Sequence, residues 1–470
     1  MRPNRTNTPP SPAELARRYQ AAVDLDPDAV DLDEADLLAV VAHYRRRTML
    51  DEGLRVADRG LTRFPFSVRL YLAKAKILAE LHVYEYALEV LEQAAVYDAE
   101  APQIRLQRAP VLAGLGREAD AFAELDALGD LHEDDVLRSM RALSEALVFE
   151  QLGRNRDVYY FLGEAIRAYP DNEEAFELLW ISTEVTANHA ATEALCEEVL
   201  QRDAYHARAW YNLGHARYAL GKTDEALVAL EYAYIIDPHF ELAYREAGEI
   251  CYEQGRYAQG VEVYETLMEY VSADNEVLLR LGQCYLHEAS HTQARLCINR
   301  VLGRDPGHDE ALYYSGLCYL REENWRAAAN AFRRAIAAND HNELYHAGLA
   351  DALVQLGDLA RAERYYARAA ETAPELPEHW LRHAVFLYET GRALEALRVL
   401  DEAEEHTVGH ELAFGRVVVL LALGREAQAL RHLAGHLEDP EAFAAHAVLF
   451  EIAPQLAEHD LVRQVIRCFA

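Results

Sequence analysis

ARAWYNLGHARYALGKTDEALVALEYAYIIDPHF, running from Ala207 to Phe240, is the stretch that decides the fold. Numbered from Ala207, Trp210 is position 4, Leu213 is 7, Gly214 is 8, Gly221 is 15, Ala226 is 20, Leu230 is 24, Ala233 is 27 and Pro238 is 32. The apolar spacing predicts two amphipathic helices, over positions 2–14 and 18–31. Gly221 breaks the chain between them and Asp237-Pro238 stops the second. Gly214 and Ala226 are small where the helices must approach closely. Trp210 and Leu230 are large because they fill the gaps beside that crossing.

Stepping by 34 residues carries this register through most of the chain. Forward, repeats begin at Glu241, Asn275, Asp309, Glu343, Pro377 and His410; backward, at Glu173, Ser139, Pro102, Val68 and Glu34. Only the repeat at Pro102, three residues too long, and that at Pro377, one residue too short, break the period. Positions not used to set the register agree with it. Position 20 is Ala or Gly in ten of 12 repeats, with Val158 and Thr192 the exceptions. Glycine recurs between the helices at Gly116, Gly153, Gly255, Gly357, Gly391 and Gly424, and prolines end repeats at Pro65, Pro170, Pro306 and Pro374. Trp180 at position 8 and Pro110 inside a first helix depart from the pattern, and locally altered packing is expected at both.

The segment Ala207–Phe240, and the chain indexed from it, resembles the tetratricopeptide repeat. The resemblance implies an all-α fold, a right-handed α-solenoid superhelix of about 12 helix-turn-helix pairs with a concave inner face. The expected organisation is a flexible arm with a short helix and an acidic linker over 1–33, the solenoid over 34–440 and capping helices over 441–470. Among relatives, the chain looks like the long cytoplasmic proteins of bacteria built from these repeats alone.

Net charge is −33, which argues against a nucleic-acid partner, since phosphate binding needs clustered Lys and Arg. Only Lys74, Lys76 and Lys222 are lysines. An acidic, lysine-poor surface suits a high-salt cytoplasm; base-composition bias toward Arg codons explains it equally well. Cys196, Cys251, Cys284, Cys297, Cys318 and Cys468 form no C-x-x-C pair, and a reducing, cytoplasmic location is expected. No run of about 18 apolar residues exists, so no membrane span is expected.

Several motifs imitate chemistry. His287-Glu288-Ala289-Ser290-His291 spells H-E-x-x-H, a zinc signature that needs one continuous helix, yet the register places it across a turn. His379/His383 and His432/His436 are four apart, which alone makes a weak metal pair. Gly221-Lys222-Thr223 resembles the end of a phosphate-binding loop but lacks its first glycine. No cofactor, metal or catalytic residue is expected.

The resemblance further implies that first helices line the groove through positions 2, 5, 9, 12 and 13. Those positions hold Arg208, Tyr211, His215 and Tyr218, then Arg245, Glu249 and Tyr252. The strip continues with Leu279 and Gln283, then Tyr313, Leu317 and Arg321. Tyr and Arg favour partner binding at low entropic cost. Position 5 is never Lys and position 9 never Asn, so the clamp that relatives use on heat-shock-protein C-termini is absent. Arg45, Arg46, Arg69 and Lys76 precede Glu150, Glu174, Glu177 and Glu184 along the inner face, an asymmetry suited to orienting a peptide or to docking the chain's own acidic run Asp24–Asp36. The expected function is a non-enzymatic scaffold or adaptor that holds a partner peptide or helix in the groove. The alternatives are a regulatory sensor whose pitch changes with a ligand and, more remotely, an enzyme with its site in the groove.

Overall fold

Most repeats fold where an apolar stripe lies between a capping side chain and a left-handed turn. The computed structural model describes residues 12–25, 32–129, 131 and 133–469. The chain divides into two compact units, 1–246 and 247–470. Among the described residues every regular element is helical.

The first unit opens with the helix Pro12–Leu25, whose Leu15, Ala16 and Tyr19 bury against Leu37, Val40 and Val41. Six antiparallel pairs follow. They are Glu34–Arg46 with Leu50–Arg63, Val68–Glu80 with Tyr84–Tyr97, and Pro102–Gly114 with Glu118–Asp126. Next come Asp135–Gln151 with Asn155–Ala168, Glu173–Thr186 with His189–Arg202, and Ala207–Ala219 with Thr223–Ile236. The helix at Ala207 starts there because His206 Nδ1 accepts the Ala209 amide at 3.0 Å. The fourth pair starts four residues before the expected Ser139, because Asp134 caps the added turn through the Leu137 amide at 2.9 Å. Of the expected arm over 1–33, residues 1–11 and 26–31 lie outside the described residues, and with the latter the middle of the acidic run Asp24–Asp36 and any docking of it.

Glu241–Glu253 with Tyr257–Tyr270 begins at the division. The second unit continues through Asn275–His287 with His291–Arg304, Asp309–Arg321 with Trp325–Ala338, and Glu343–Gln355 with Leu359–Thr372. Pro377–Glu389 with Ala393–His406 and His410–Ala422 with Glu426–His436 complete the series. Short helical segments from Pro440 to Phe469 then place Leu449, Leu456 and Val462 over Phe414, Val418 and Leu433. They cover the apolar face that a terminal repeat leaves open.

The crossing within each pair works by size complementarity. A Cβ at Gly214 would lie 2.7 Å from Leu230 Cγ, one at Gly282 would lie 3.2 Å from Ile298 Cγ1, and one at Gly316 would lie 2.6 Å from Phe332 Cε1. Position 15 is left-handed in every repeat: Gly221 has φ +76°, and the equivalent non-glycine residues Thr48, His82, Ala187, Ala289 and Glu323 have φ 54–59°.

Both sequence departures have local solutions. The helix Pro102–Gly114 runs on through Pro110. Pro110 has no N–H for the Leu106 carbonyl, and Ser144 Oγ of the next repeat donates to that oxygen at 2.6 Å instead. Trp180 does not enter the helix crossing. Its ring turns outward onto His215, 5.4 Å between centroids, while Thr183 and Thr192 pair inside at 2.7 Å.

Candidate functional site

The strip expected to meet a partner divides into residues already engaged and residues left accessible. In the first unit Arg208 reaches Glu173 at 2.9 Å and Glu177 at 3.4 Å, with its guanidinium over Phe240. Tyr211 is buried against Phe240 and hydrogen-bonded to Glu246; burial, then that carboxylate, pushes its hydroxyl pKa far up. His215 is held by Glu246 at 2.6 Å and Glu184 at 2.8 Å. Burial opposes its charge, but the Glu246 and then the Glu184 carboxylates outweigh it, so its pKa is raised. Tyr218 is half-buried, and Arg245 pairs with Glu241 at 2.6 Å.

In the second unit Glu249 accepts from Arg280 at 2.8 Å and from Tyr264 at 3.1 Å. Arg280 also covers the Tyr252 ring at 4.9 Å. Leu279 and Gln283 are buried, and Gln283 bonds Arg280 at 2.9 Å and Glu310 at 3.2 Å. Tyr313 sits half-buried among Tyr314, Phe332 and Tyr345. Leu317 is half-buried and Arg321 exposed.

A rule the sequence reading missed organises these contacts. Position 9 of one repeat bonds position 6 of the next, 31 residues on: His215 with Glu246, Glu249 with Arg280, Asp351 with Arg382. In two repeats a tyrosine at position 24 completes a triad, Tyr264–Glu249–Arg280 and Tyr366–Asp351–Arg382, the Tyr366 bond being 2.6 Å. The recurrent opposite charges at that spacing were the available signal.

A second feature lies on first helices nearer the N-terminus. A cavity of about 750 Å³ is lined by Leu72, Leu106, Pro110, Met140, Leu143 and Leu147, with Lys76, Glu150 and Glu174 among its polar groups. The apolar residues at position 9 here, Pro110 and Leu147, were its sequence signal. The charge asymmetry expected to orient a peptide is largely consumed within the chain. Lys76 bonds Glu174, Arg45 lies 3.8 Å from Glu174 and 3.3 Å from Glu80, and Arg46 lies 3.9 Å from Glu173. Burial works against the Glu174 charge, yet Lys76 and Arg45 keep its pKa below the usual value, whereas burial prevails over Arg45 at Glu80 and raises it.

The motifs that imitate chemistry do not assemble. Glu288 is the C-cap of one helix and His291 opens the next, so H-E-x-x-H spans a turn; His287 stacks on Tyr257 at 4.0 Å. His379 and His383 are buried, and His436 contacts His410 at 3.1 Å. Among the described residues no three His, Cys, Asp or Glu side chains are grouped to hold a metal ion, and no helix is long and apolar enough to cross a membrane.

Tetratricopeptide repeat profiles match residues 207–240, 252–317, 316–377 and 347–409. The BBSome complex member BBS4 of Bos taurus is 25% identical over 255 residues, 54% of this chain and 46% of that protein. The TPR repeat-containing protein YpiA of Bacillus subtilis is 21% identical over 195 residues, 42% of this chain and 46% of that protein. The chain thus spans less than half the length of these curated relatives. Among solved structures, the APC/C hetero-tetramer Cut9-Hcn1 is similar at 13% identity and a TM-score of 0.38, covering 89% of this chain and 93% of that one. With the 34-residue register, the small-against-large helix crossings and the profile matches in agreement, residues 207–240 and 252–409 are tetratricopeptide repeats, and the same register runs through the flanking helix pairs.

Proposed function

We propose that the chain is a non-enzymatic scaffold or adaptor that holds a peptide or helix of a partner protein on its first-helix face. Tetratricopeptide repeat proteins as a class mediate protein–protein interactions. The carrying observation is the cavity of about 750 Å³, lined chiefly by apolar side chains of successive first helices. Open apolar surface of that extent is what a partner side chain covers. Tyr252, Tyr313, Leu317 and Arg321 are accessible or half-buried on first helices of the second unit, and Glu249 there is held in its own ion pair; Arg208, His215 and Arg245 of the first unit are likewise held in theirs.

The test is affinity capture with the wild type beside two variants, Leu72→Asp/Met140→Asp and Tyr252→Ala/Arg321→Ala. A partner lost from either variant, while its helicity is unchanged, supports the reading and locates the contact. A partner retained by both rejects it. A sensor is the second reading. The contact between Lys76 and Glu174, 98 residues apart, is one that an occupant of the cavity would open. The scattering radius then changes with ligand; a constant radius leaves the passive scaffold.

A further inference from the structure

In repeats four and five the polar pair between position 9 and position 6 of the next repeat is lost to an apolar residue at position 9. Where His215, Glu249 and Asp351 bond position 6 of the next repeat, these two repeats have Leu147 and Ile181 at position 9, and Leu178 follows Leu147 at position 6. Ile181 and Val185 stay 50% and 59% exposed beside Trp180. A notch of about 80 Å³ lies among Leu147, Val158, Leu178, Ile181 and Val185. Ser182 lines the same notch; it is buried, and its hydroxyl has no hydrogen-bond partner among the described residues. A buried hydroxyl left unmatched is destabilising, and a partner's backbone group would satisfy it.

Leu147 and Glu150 belong to both the notch and the larger cavity, so the apolar path is continuous from Met140 to Val185. Glu150 is the unmatched charge on that path. Glu174 is paired with Lys76 and Arg45, Glu177 with Arg208, and Glu184 with His215. The Glu150 carboxylate makes no ion pair or hydrogen bond among the described residues, although it is solvent-accessible. The surrounding protein raises its carboxyl pKa, with only His82 opposing. A carboxylate set in apolar surface selects a cation, and a chain of net charge −33 repels acidic partners.

We propose that this path, Met140 to Val185, docks a partner segment of apolar residues around one central Lys or Arg, whose cation pairs with Glu150. The proposal rests on the scaffold reading and names the partner chemistry for it. The probes are short fluorescein-labelled Leu/Ala peptides, identical except for Lys, Gln or Glu at the centre, titrated with the full chain and read by anisotropy. The Lys peptide is expected to bind at least about tenfold tighter than the Glu peptide, tenfold being ~1.4 kcal/mol. Glu150→Lys reverses that order, and Ile181→Asp/Val185→Asp abolishes binding of both. The reversal guards against misfolding, because that variant must still bind the Glu peptide. Affinity indifferent to the central residue, or unmoved by Glu150→Lys, overturns the proposal. So does a concentration-dependent dimer that Val185→Asp dissolves, which assigns the path to a second copy. Partner capture that persists in Glu150→Lys removes this site and leaves the scaffold reading standing; a chain that captures no partner removes both.

Discussion

Phe332 is fully buried between two glycines, Gly316 in its own repeat and Gly348 in the next. A methyl group at Gly316 would lie 2.6 Å from Phe332 Cε1, and one at Gly348 would lie 2.7 Å from the same atom. Non-bonded carbons settle about 3.5–4.0 Å apart, so each contact is about 1 Å too short. Gly316→Ala therefore sets two effects against each other. Alanine in a helix gains ~1 kcal/mol over glycine. Overpacking a filled core loses ~1–3 kcal/mol. The ring has no open direction to move, since Ala328, Ala329, Leu349 and Ala350 share its core, so overpacking wins. The expected net destabilisation is up to ~2 kcal/mol. Gly303 is the control: it lies on the exposed side of His291–Arg304 with nothing within 4 Å of an added Cβ. Gly303→Ala keeps only the gain and stabilises by up to ~1 kcal/mol. The assay is urea unfolding with hydrogen exchange of amides 309–355, because repeat arrays need not unfold in one step. Phe332→Leu in the Gly316→Ala background should recover part of the loss, a coupling read by a double-mutant cycle. A Gly316→Ala protein as stable as Gly303→Ala, or a loss unaltered by Phe332→Leu, refutes the packing account.

Other outcomes follow from the same geometry. Ala289 and Glu323 hold left-handed backbone, so Ala289→Gly and Glu323→Gly should each raise stability by ~1 kcal/mol in urea unfolding. Ser144→Ala should lose ~1–2 kcal/mol by orphaning the Leu106 carbonyl, and Pro110→Ala should suppress that loss by restoring the helical N–H. The histidines should titrate in opposite directions when followed by NMR. Burial lowers His379 and His383, so their contribution is complete above the unfolded value of about 6.5 and is lost as pH falls below it. His215 is raised by Glu246 and Glu184, so its contribution is present below about 6.5 and is lost as pH rises through the folded value. A His215 ring that titrates below about 6.5 contradicts the two-carboxylate cradle.

The sequence alone determined the helix pairs, their turns and their crossings. Gly214 against Leu230 and Gly221 in its left-handed turn are legible because a repeat meets only itself and its neighbours, so spacing along the chain stands in for distance. Where glycine is missing, Ala187 and Glu323 keep the same backbone, since position and not residue type decides the turn. Only tertiary structure decided which inner-face groups remain available. Tyr211 and Gln283 stand at positions that read as partner-facing, yet one is buried on Phe240 and Glu246 and the other between Arg280 and Glu310. Lys76 and Glu174 lie 98 residues apart and meet because successive repeats bring the first helices round toward one another within the first unit. Accessibility is a property of what the neighbouring repeats place against a side chain, and a single repeat's pattern does not carry that information.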